Sequence, residues 1–312
     1  MKNKLYLLFV LISFISAISF SQAPGNICLG TDVNACIGTT VSIEDCNPGS
    51  GSANVLALTN ASVIHPLTDD QYSAVVNIGF SFSFYGNTYT QCVVGSNGII
   101  SFDLTNAGGF CPWGLTTAGT FPNTTFATTF NSLMPAYQDM NPSSTASPAA
   151  EIRTETFGVA PNRRFVVLFK DVIAFSAPNN ECNYLGVIIN EGSNTFEYHI
   201  GNKPIVVGWN NGLAVQGSEN IDGTVAHITP GRNNSVWSVT TPEAKIWTPT
   251  SPANTTNYTI SPIPYLTITS TTSTFAWGNT LNNTTEPYNN GVLVVNPVLP
   301  GVTGYFVTVA AT

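Results

Sequence analysis

The stretch Ile78-Gly79-Phe80-Ser81-Phe82-Ser83-Phe84 alternates large apolar residues with small ones. Successive side chains of an extended strand point to opposite faces, so the isoleucine and the three phenylalanine side chains share one face. The stretch therefore predicts a β-strand with one buried face. Gly86-Asn87 predicts a turn after it. Asn97-Gly98 predicts a tight hairpin turn between the runs Cys92–Val94 and Ile99–Phe102, because an Asn-Gly pair tolerates positive φ.

Short runs of β-branched and aromatic residues recur along the rest of the chain, separated by Gly, Asn, Pro, Ser and Thr. The clearest runs are 165–169, 185–189, 195–200, 213–215 and 225–228. A weak helix is predicted over Thr125–Tyr137, although Pro135 interrupts that pattern. Many short strands with turn signals between them predict an all-β fold, a β-sandwich.

The composition excludes several classes of protein. Only 8% of the 312 residues are charged, well below the share that is usual in cytoplasmic domains. The 18 Phe, 11 Tyr and 5 Trp supply enough apolar surface for a folded core, which argues against a disordered chain. The net charge of −8 and the 9 Lys+Arg leave no basic stripe, so we expect no nucleic-acid partner.

The N-terminal residues predict a secretory signal peptide. Lys2 and Lys4 precede the apolar run Leu5–Ile18, and Ser19 and Ser21 supply small residues at a cleavage site after residue 21. The apolar run is shorter than the roughly 20 residues that a membrane-spanning helix needs. We therefore expect export, with residues 1–21 removed and no transmembrane segment in the mature chain.

The chain contains six cysteines, all of them after the predicted signal peptide. They are Cys28, Cys36, Cys46, Cys92, Cys111 and Cys182. An even number of cysteines in an exported chain predicts disulfide bonds. The sequence does not select one pairing, but we favour bridges within the segment 28–46 and a bridge between Cys92 and Cys111.

The distribution of residue types predicts four segments. These are the signal peptide over 1–21, a Cys-rich segment over 22–70, a β-sandwich over 71–249 and a Thr-rich, immunoglobulin-like β unit over 250–312. The last boundary follows the proline-rich stretch 248–252, beyond which Glu286 is the one charged residue. We expect that the sequence is the N-terminal part of a longer polypeptide, so that the last unit is truncated.

Motifs spread over residues 75–249 carry a resemblance to a known family. They are Val94-Gly-Ser-Asn-Gly98, Cys111-Pro-Trp113, Tyr137-Gln-Asp139, Asn141-Pro142, Arg163-Arg-Phe-Val-Val167, Trp209-Asn210, Gly223-Thr-Val-Ala226 and Pro230-Gly-Arg-Asn233. In this order they resemble the N-terminal module of large cell-surface proteins of gliding Bacteroidota, many of which are exported by type IX secretion. More distantly, they resemble the nidogen-type extracellular domain. The resemblance implies display at the bacterial cell surface, a role in gliding motility or adhesion, and no catalytic residues.

The search for catalytic and metal-binding motifs agrees with a protein that is not an enzyme. His199 and His227 are interpreted as structural residues of strands and His65 as a loop residue, and no nucleophile or paired-carboxylate motif is present. The possible cofactor is Ca²⁺, which prefers carboxylate and amide oxygens. Asp139 with Asn141 is the favoured pair of ligands, because the setting of Asp139 matches the motif of the family that the chain resembles, and Asp69-Asp70 and Asn220-Ile-Asp222 are alternatives. The competing interpretation is that these residues only close turns.

Two tryptophans, Trp113 and Trp209, are candidates for stacking on a glycan, although isolated tryptophans of a sandwich more often pack in its core. The favoured function is that of an adhesion or structural module of a larger surface protein, whose partners are surface glycans or other cell-surface or matrix components. The alternative is a carbohydrate-binding accessory domain of a secreted glycan-degrading protein.

Overall fold

The computed structural model describes residues 41–44, 55–58, 62–177, 182–270, 275–279, 285–287, 292–295 and 305–309. The strands in these ranges are β1 (Val41–Glu44), β2 (Val55–Ala57), β3 (Val63–Ile64), β4 (Val76–Phe84), β5 (Asn87–Gly95), β6 (Ile99–Ser101), β7 (Ser132–Tyr137), β8 (Met140–Asn141), β9 (Glu151–Phe157), β10 (Arg164–Ala174), β11 (Cys182–Asn190), β12 (Phe196–Asn202), β13 (Leu213–Glu219), β14 (Ala226–Ile228), β15 (Ser235–Val236), β16 (Glu243–Ser251), β17 (Asn254–Ile263), β18 (Thr267–Thr269), β19 (Phe275–Asn279), β20 (Thr285–Pro287), β21 (Val292–Val295) and β22 (Tyr305–Val309).

Helical structure in the described residues is short. The α-helix α1 spans Leu115–Ala118, and three 3₁₀ turns span Leu104–Asn106, Ala127–Thr129 and Asn210–Gly212. No helix among the described residues has the length and apolar character that crossing a membrane requires.

Two antiparallel sheets form the sandwich. Sheet I has eight strands in the order β17-β16-β12-β11-β10-β9-β3, and β8 pairs with the end of β10. Sheet II has seven strands in the order β14-β13-β7-β6-β5-β4, and β15 pairs with β13. Three smaller groups complete the pairing: β2 lies parallel to β18, β1 pairs with β21, and β19 lies between β20 and β22.

The main core lies between the two sheets. Strand β4 buries alternate residues, and Phe82 and Phe84 are fully buried there, as the opening stretch predicts. They pack with Phe102, while Phe84 also contacts Phe196 of sheet I with ring centroids 6.0 Å apart. Trp247 stacks on Phe196 at 5.4 Å and is fully buried. Because these aromatic residues come from both sheets, their packing fixes how the sheets face each other.

The outer face of each sheet is also covered, which explains the continuous apolar run in β10. Phe165, Val167 and Phe169 face the main core, whereas Val166 and Leu168 pack against Leu56, Leu58 and Ile268 from the β2–β18 pair. On sheet II, Val93, Ile99, Met134 and Val215 face outward and are covered by the segment 111–126, which contributes Cys111, Leu115 and Phe121. A strand buried on both faces has no polar alternation.

The predicted all-β sandwich is confirmed, as are the strand at Ile78–Phe84 and the turn at Asn97-Gly98. The weak helix predicted over Thr125–Tyr137 is wrong. Residues 127–129 form one 3₁₀ turn, and Ser132–Tyr137 form the central strand β7, every residue of which is buried. Pairing on both edges of β7 supplies its hydrogen bonds, so tertiary context overrides a weak local pattern.

The sandwich extends beyond both ends of the segment predicted over 71–249. Strand β3 joins sheet I from within the predicted Cys-rich segment, and β16 and β17 form a hairpin that crosses residue 250 and continues the sheet to Ile263. The proline-rich stretch 248–252 is thus part of a hairpin. The signal peptide over 1–21 lies outside the described residues, as do Cys28, Cys36 and Cys46.

Candidate functional site

The β5–β6 turn organises one end of sheet II. Gly98 adopts φ 71°, and a Cβ at that position would lie 2.5 Å from the carbonyl oxygen of Ala136, so the turn needs glycine. The fully buried Asn97 then reaches across to the loop after β7. Its Oδ1 accepts a hydrogen bond from the Met140 amide at 2.8 Å, and its carbonyl accepts one from the Gln138 amide at 3.2 Å.

Asn97 also binds the segment that precedes β4. Its Nδ2 donates to Asp70 Oδ1 at 2.9 Å and to the Cys111 carbonyl at 2.8 Å. Three segments that are distant in sequence, at Asp70, Cys111 and Met140, are therefore held together by one buried amide.

Three carboxylates converge at this junction. One carboxylate oxygen from each of Asp69, Asp70 and Asp139 lies within 4.8 Å of the other two. Asp139 follows β7 and is only 5% exposed, while Asp69 and Asp70 are half-buried. Each ion pair found within residues 62–177 and 182–270 has a glutamate as its acidic partner. None of them includes Asp69, Asp70 or Asp139.

Two indole rings border the cluster and bind it. Trp113 Nε1 donates to Asp70 Oδ2 at 2.9 Å, and Trp209 Nε1 donates to Asp139 Oδ2 at 2.6 Å. The two rings contact each other with centroids 5.3 Å apart and an interplanar angle of 50°, and the ring centroid of Phe175 lies 4.9 Å from that of Trp209. Both tryptophans are half-buried, so their N–H groups face the carboxylates while part of each ring contacts solvent.

Burial and mutual repulsion shape the electrostatics of the cluster. Burial, above all, raises the pKa of Asp139 to about 7, and the charges of Asp70 and Asp69 act in the same direction. The hydrogen bond from Trp209 opposes that rise. Burial and the charge of Asp70 also raise the pKa of Asp69. Such a site favours either a proton or a cation, because each would relieve the repulsion between the carboxylates.

The structure divides the predicted metal ligands. Asp139 joins the cluster, together with the alternative pair Asp69-Asp70. The Oδ1 atom of Asn141 instead accepts hydrogen bonds from the Ser143 amide at 2.9 Å and from the Ser143 hydroxyl at 2.7 Å. Asn141 thus closes a local turn.

The prediction of a disulfide bond between Cys92 and Cys111 is wrong. Both thiols are fully buried and unbridged. Cys92 packs in the main core between the sheets, whereas Cys111 packs on the outer face of sheet II. The sheet itself lies between the two side chains. Cys182 is half-buried at the start of β11, with its thiol 3.4 Å from the Ser147 hydroxyl.

The three histidines have structural contacts, which the sequence predicted for His199 and His227. His65 Nε2 lies 2.9 Å from the Thr154 hydroxyl. His199 accepts from the Leu266 amide through Nδ1 and pairs with Glu197 through Nε2 at 2.9 Å. His227 accepts from the Tyr258 amide through Nε2 and bonds the Tyr85 hydroxyl through Nδ1 at 2.7 Å. The tryptophans Trp237 and Trp247 are core residues.

Sequence reasoning missed the role of Asn97, which it assigned only to a turn. It also treated Asp69-Asp70 and Asp139 as separate candidates, although the structure brings them together. The signal that could have linked them is weak, since it consists only of acidic residues in two loops that flank a predicted Asn-Gly turn.

The comparisons with known proteins give one match. No curated protein and no solved structure matches the chain. The family model described as NIDO related matches residues 49–262, which span the described sandwich from β2 through nearly all of β17. This match supports a non-enzymatic extracellular module with a nidogen-like fold. Since the matched range covers more than half of the sequence, the chain belongs to the nidogen-related family.

Proposed function

We propose that this chain is an exported module of a larger bacterial cell-surface protein, and that it acts in adhesion without catalysing a reaction. The observation that carries the proposal is the loop junction around Asn97 within a nidogen-related sandwich. Buried hydrogen bonds hold the segments at Asp70, Cys111 and Met140 in one arrangement. A loop surface that is ordered before contact loses little conformational entropy when it binds.

The low charge of the chain supports the same role. Only 8% of the residues are charged, so a surface rich in Thr, Asn and Ser meets another surface with little long-range repulsion. Hydrogen bonds and the exposed parts of aromatic rings would then supply the contact.

The adhesion proposal is tested with beads that carry residues 22–312. We expect these beads to be retained under flow on bacterial envelope material, and we expect the soluble chain to compete with them. Retention no greater than that of albumin-coated beads would overturn the proposal. Turnover of an envelope polymer by the purified chain would overturn its non-enzymatic part.

The alternative function is glycan binding by an accessory domain of a glycan-degrading protein, and the Trp113–Trp209 ring pair favours it. Aromatic rings next to carboxylates can stack on a sugar and accept its hydroxyl hydrogen bonds. Selective binding on a glycan array that is lost in Trp113→Ala, and kept in the exposed control Phe110→Ala, would establish this function. Adhesion to envelope material with no glycan selectivity would favour the first proposal.

A further inference from the structure

We propose that Asp69, Asp70 and Asp139 form a Ca²⁺ site, in which Trp113 and Trp209 act as positioning residues. The inference does not depend on the adhesive function, because a bound ion would join the loops whatever surface they contact. Four observations support it.

The first observation is the spacing of the oxygen atoms. Calcium binds protein oxygens at about 2.3–2.6 Å, so two ligands of one ion lie no more than about 5 Å apart. One carboxylate oxygen of each of the three residues meets this limit, since these three atoms lie within 4.8 Å of one another. They come from two separate segments, so one ion would bridge the loop before β4 and the loop after β7.

The second observation is an unpaired, buried oxygen in the cluster. Asp139 is 5% exposed, and its Oδ1 atom has no hydrogen-bond partner in the described part of the chain. Asp69 Oδ1 is also buried and unpaired. Buried carboxylate oxygens without donors are costly, and native proteins normally satisfy them with a donor, water or ion. A cation bound among the three carboxylates would satisfy both.

The third observation is the set of donors around the cluster. Asp139 Oδ2 is held by Trp209, while the two oxygens of Asp70 are held by Asn97 and Trp113. None of these donors is a cation, so the carboxylates are oriented but not neutralised. Neutral donors that hold ligand carboxylates in place are the usual outer shell of a metal site.

The fourth observation concerns the chemistry of the ligands. The cluster consists of carboxylates alone, and hard oxygen ligands select Ca²⁺, Mg²⁺ or Mn²⁺ over Zn²⁺ or Cu²⁺. Mg²⁺ requires near-ideal octahedral geometry and keeps several waters, whereas Ca²⁺ accepts irregular sites with long bonds. A half-buried site assembled from two loops therefore fits Ca²⁺ best.

The decisive experiment titrates the chelator-treated chain with Tb³⁺, which replaces Ca²⁺ and emits when a nearby tryptophan is excited. We expect sensitised emission, because both indole nitrogens contact ligand carboxylates, and we expect Ca²⁺ to quench it by displacement. Calorimetry with Ca²⁺ alone should give one site with a Kd on the order of 10⁻⁴–10⁻³ M, the range of extracellular modules. Saturating Ca²⁺ should raise Tm by about 5 °C or more.

Two variants and one control assign the signal to this cluster. Asp139→Asn and Asp69→Asn each remove a ligand charge and should weaken Ca²⁺ binding at least about tenfold. The matched control is Asp222→Asn, at an exposed turn where Asp222 Oδ1 accepts from the Thr224 amide, and it should bind Ca²⁺ as the parent chain does. Asp69 is half-buried, so its variant keeps the test available if Asp139→Asn does not fold.

Three results would overturn the proposal. One is the absence of both Tb³⁺ emission and a Ca²⁺-dependent change in Tm. Another is unchanged Ca²⁺ binding in both ligand variants. The third is the observation that Asp139 is protonated at neutral pH in saturating Ca²⁺. It would show that a proton, rather than an ion, relieves the repulsion among the three carboxylates.

Discussion

Trp209 Nε1 lies 2.6 Å from Asp139 Oδ2, although 70 residues separate the two in the sequence. The ring of Trp209 meanwhile contacts those of Trp113 and Phe175. The half-buried indole therefore has two sets of contacts, since it binds a buried carboxylate with its N–H group and packs against two other aromatic rings.

The first prediction concerns the hydrogen bond from Trp209. Trp209→Phe keeps an aromatic ring but leaves Asp139 with no donor, so the free energy of unfolding should fall by about 1.5–3 kcal/mol, the range for hydrogen bonds to charged groups. Urea unfolding measures the change. The control is Trp113→Phe, at a ring that is also half-buried; Asp70 keeps Asn97 as a donor in that variant, so it should lose less stability. If the free energy of unfolding fell by the same amount or less in Trp209→Phe than in the control, the stabilising role of the Trp209–Asp139 hydrogen bond would be contradicted.

The second prediction concerns Gly95, at the end of β5. A Cβ at this position would lie 2.6 Å from Cys111 Sγ, 2.7 Å from Ile99 Cγ2 and 2.9 Å from Tyr72 Cε1. Gly95→Ala should therefore destabilise the chain by about 1–3 kcal/mol through overpacking. The control is Gly114→Ala, whose nearest neighbour is Thr117 Oγ1 at 4.0 Å, and it should be nearly neutral. Thermal unfolding of both variants measures the two changes in stability.

The third prediction concerns the thiols of Cys92 and Cys111. Burial raises the pKa of each to about 12, and the reactive species of a thiol is its thiolate. Both should therefore resist a thiol-specific reagent in the native chain and react promptly in denaturant. Peptide mapping of the alkylated, unreduced chain provides the measurement. Recovery of a cross-linked peptide that contains both residues would show that they are bridged after all.

The fourth prediction concerns acid stability. Burial lowers the pKa of His65 from 6.5 to about 4. The unfolded chain takes up this proton first as the pH falls, so the free energy of unfolding declines between those two values, by about 3 kcal/mol in total. His65→Gln, which can still bond the Thr154 hydroxyl, should lose that share of the acid sensitivity. Urea unfolding at neutral pH and near pH 4 measures the loss of stability. An equal loss in the parent chain and in His65→Gln would refute the prediction.

The sequence alone allowed the fold class to be predicted because local pattern and burial agree in strands such as β4. Phe80, Phe82 and Phe84 alternate with small residues, and the structure buries them on one face. Strand β7 was missed because it is central and buried on both faces, so its residues show no alternation. The end of the sandwich was also placed too early, since Pro249 in β16 and Pro252 in the turn after it imitate a linker.

The candidate site could be predicted only in part. Asp139 was favoured because its local motif matches that of the resembled family, but its neighbours Asp69 and Asp70 lie about seventy residues earlier in the sequence. They meet because sheet II sets β6 beside β7, which brings the Asn97 turn to the loop after β7. Such convergence depends on strand order, which a single sequence does not specify.

The hairpin of β16 and β17 has a practical consequence for anyone who expresses this domain in isolation. A protein that ends at residue 249, where the composition changes, would lack β17, the outermost strand of sheet I. Strand β16 would then lose its hydrogen-bonded partner on that edge. The exposed backbone amides and carbonyls of β16 would then be available to neighbouring molecules, and insoluble material should accumulate. Extending the insert through Ile263 keeps that edge paired and should restore a soluble product.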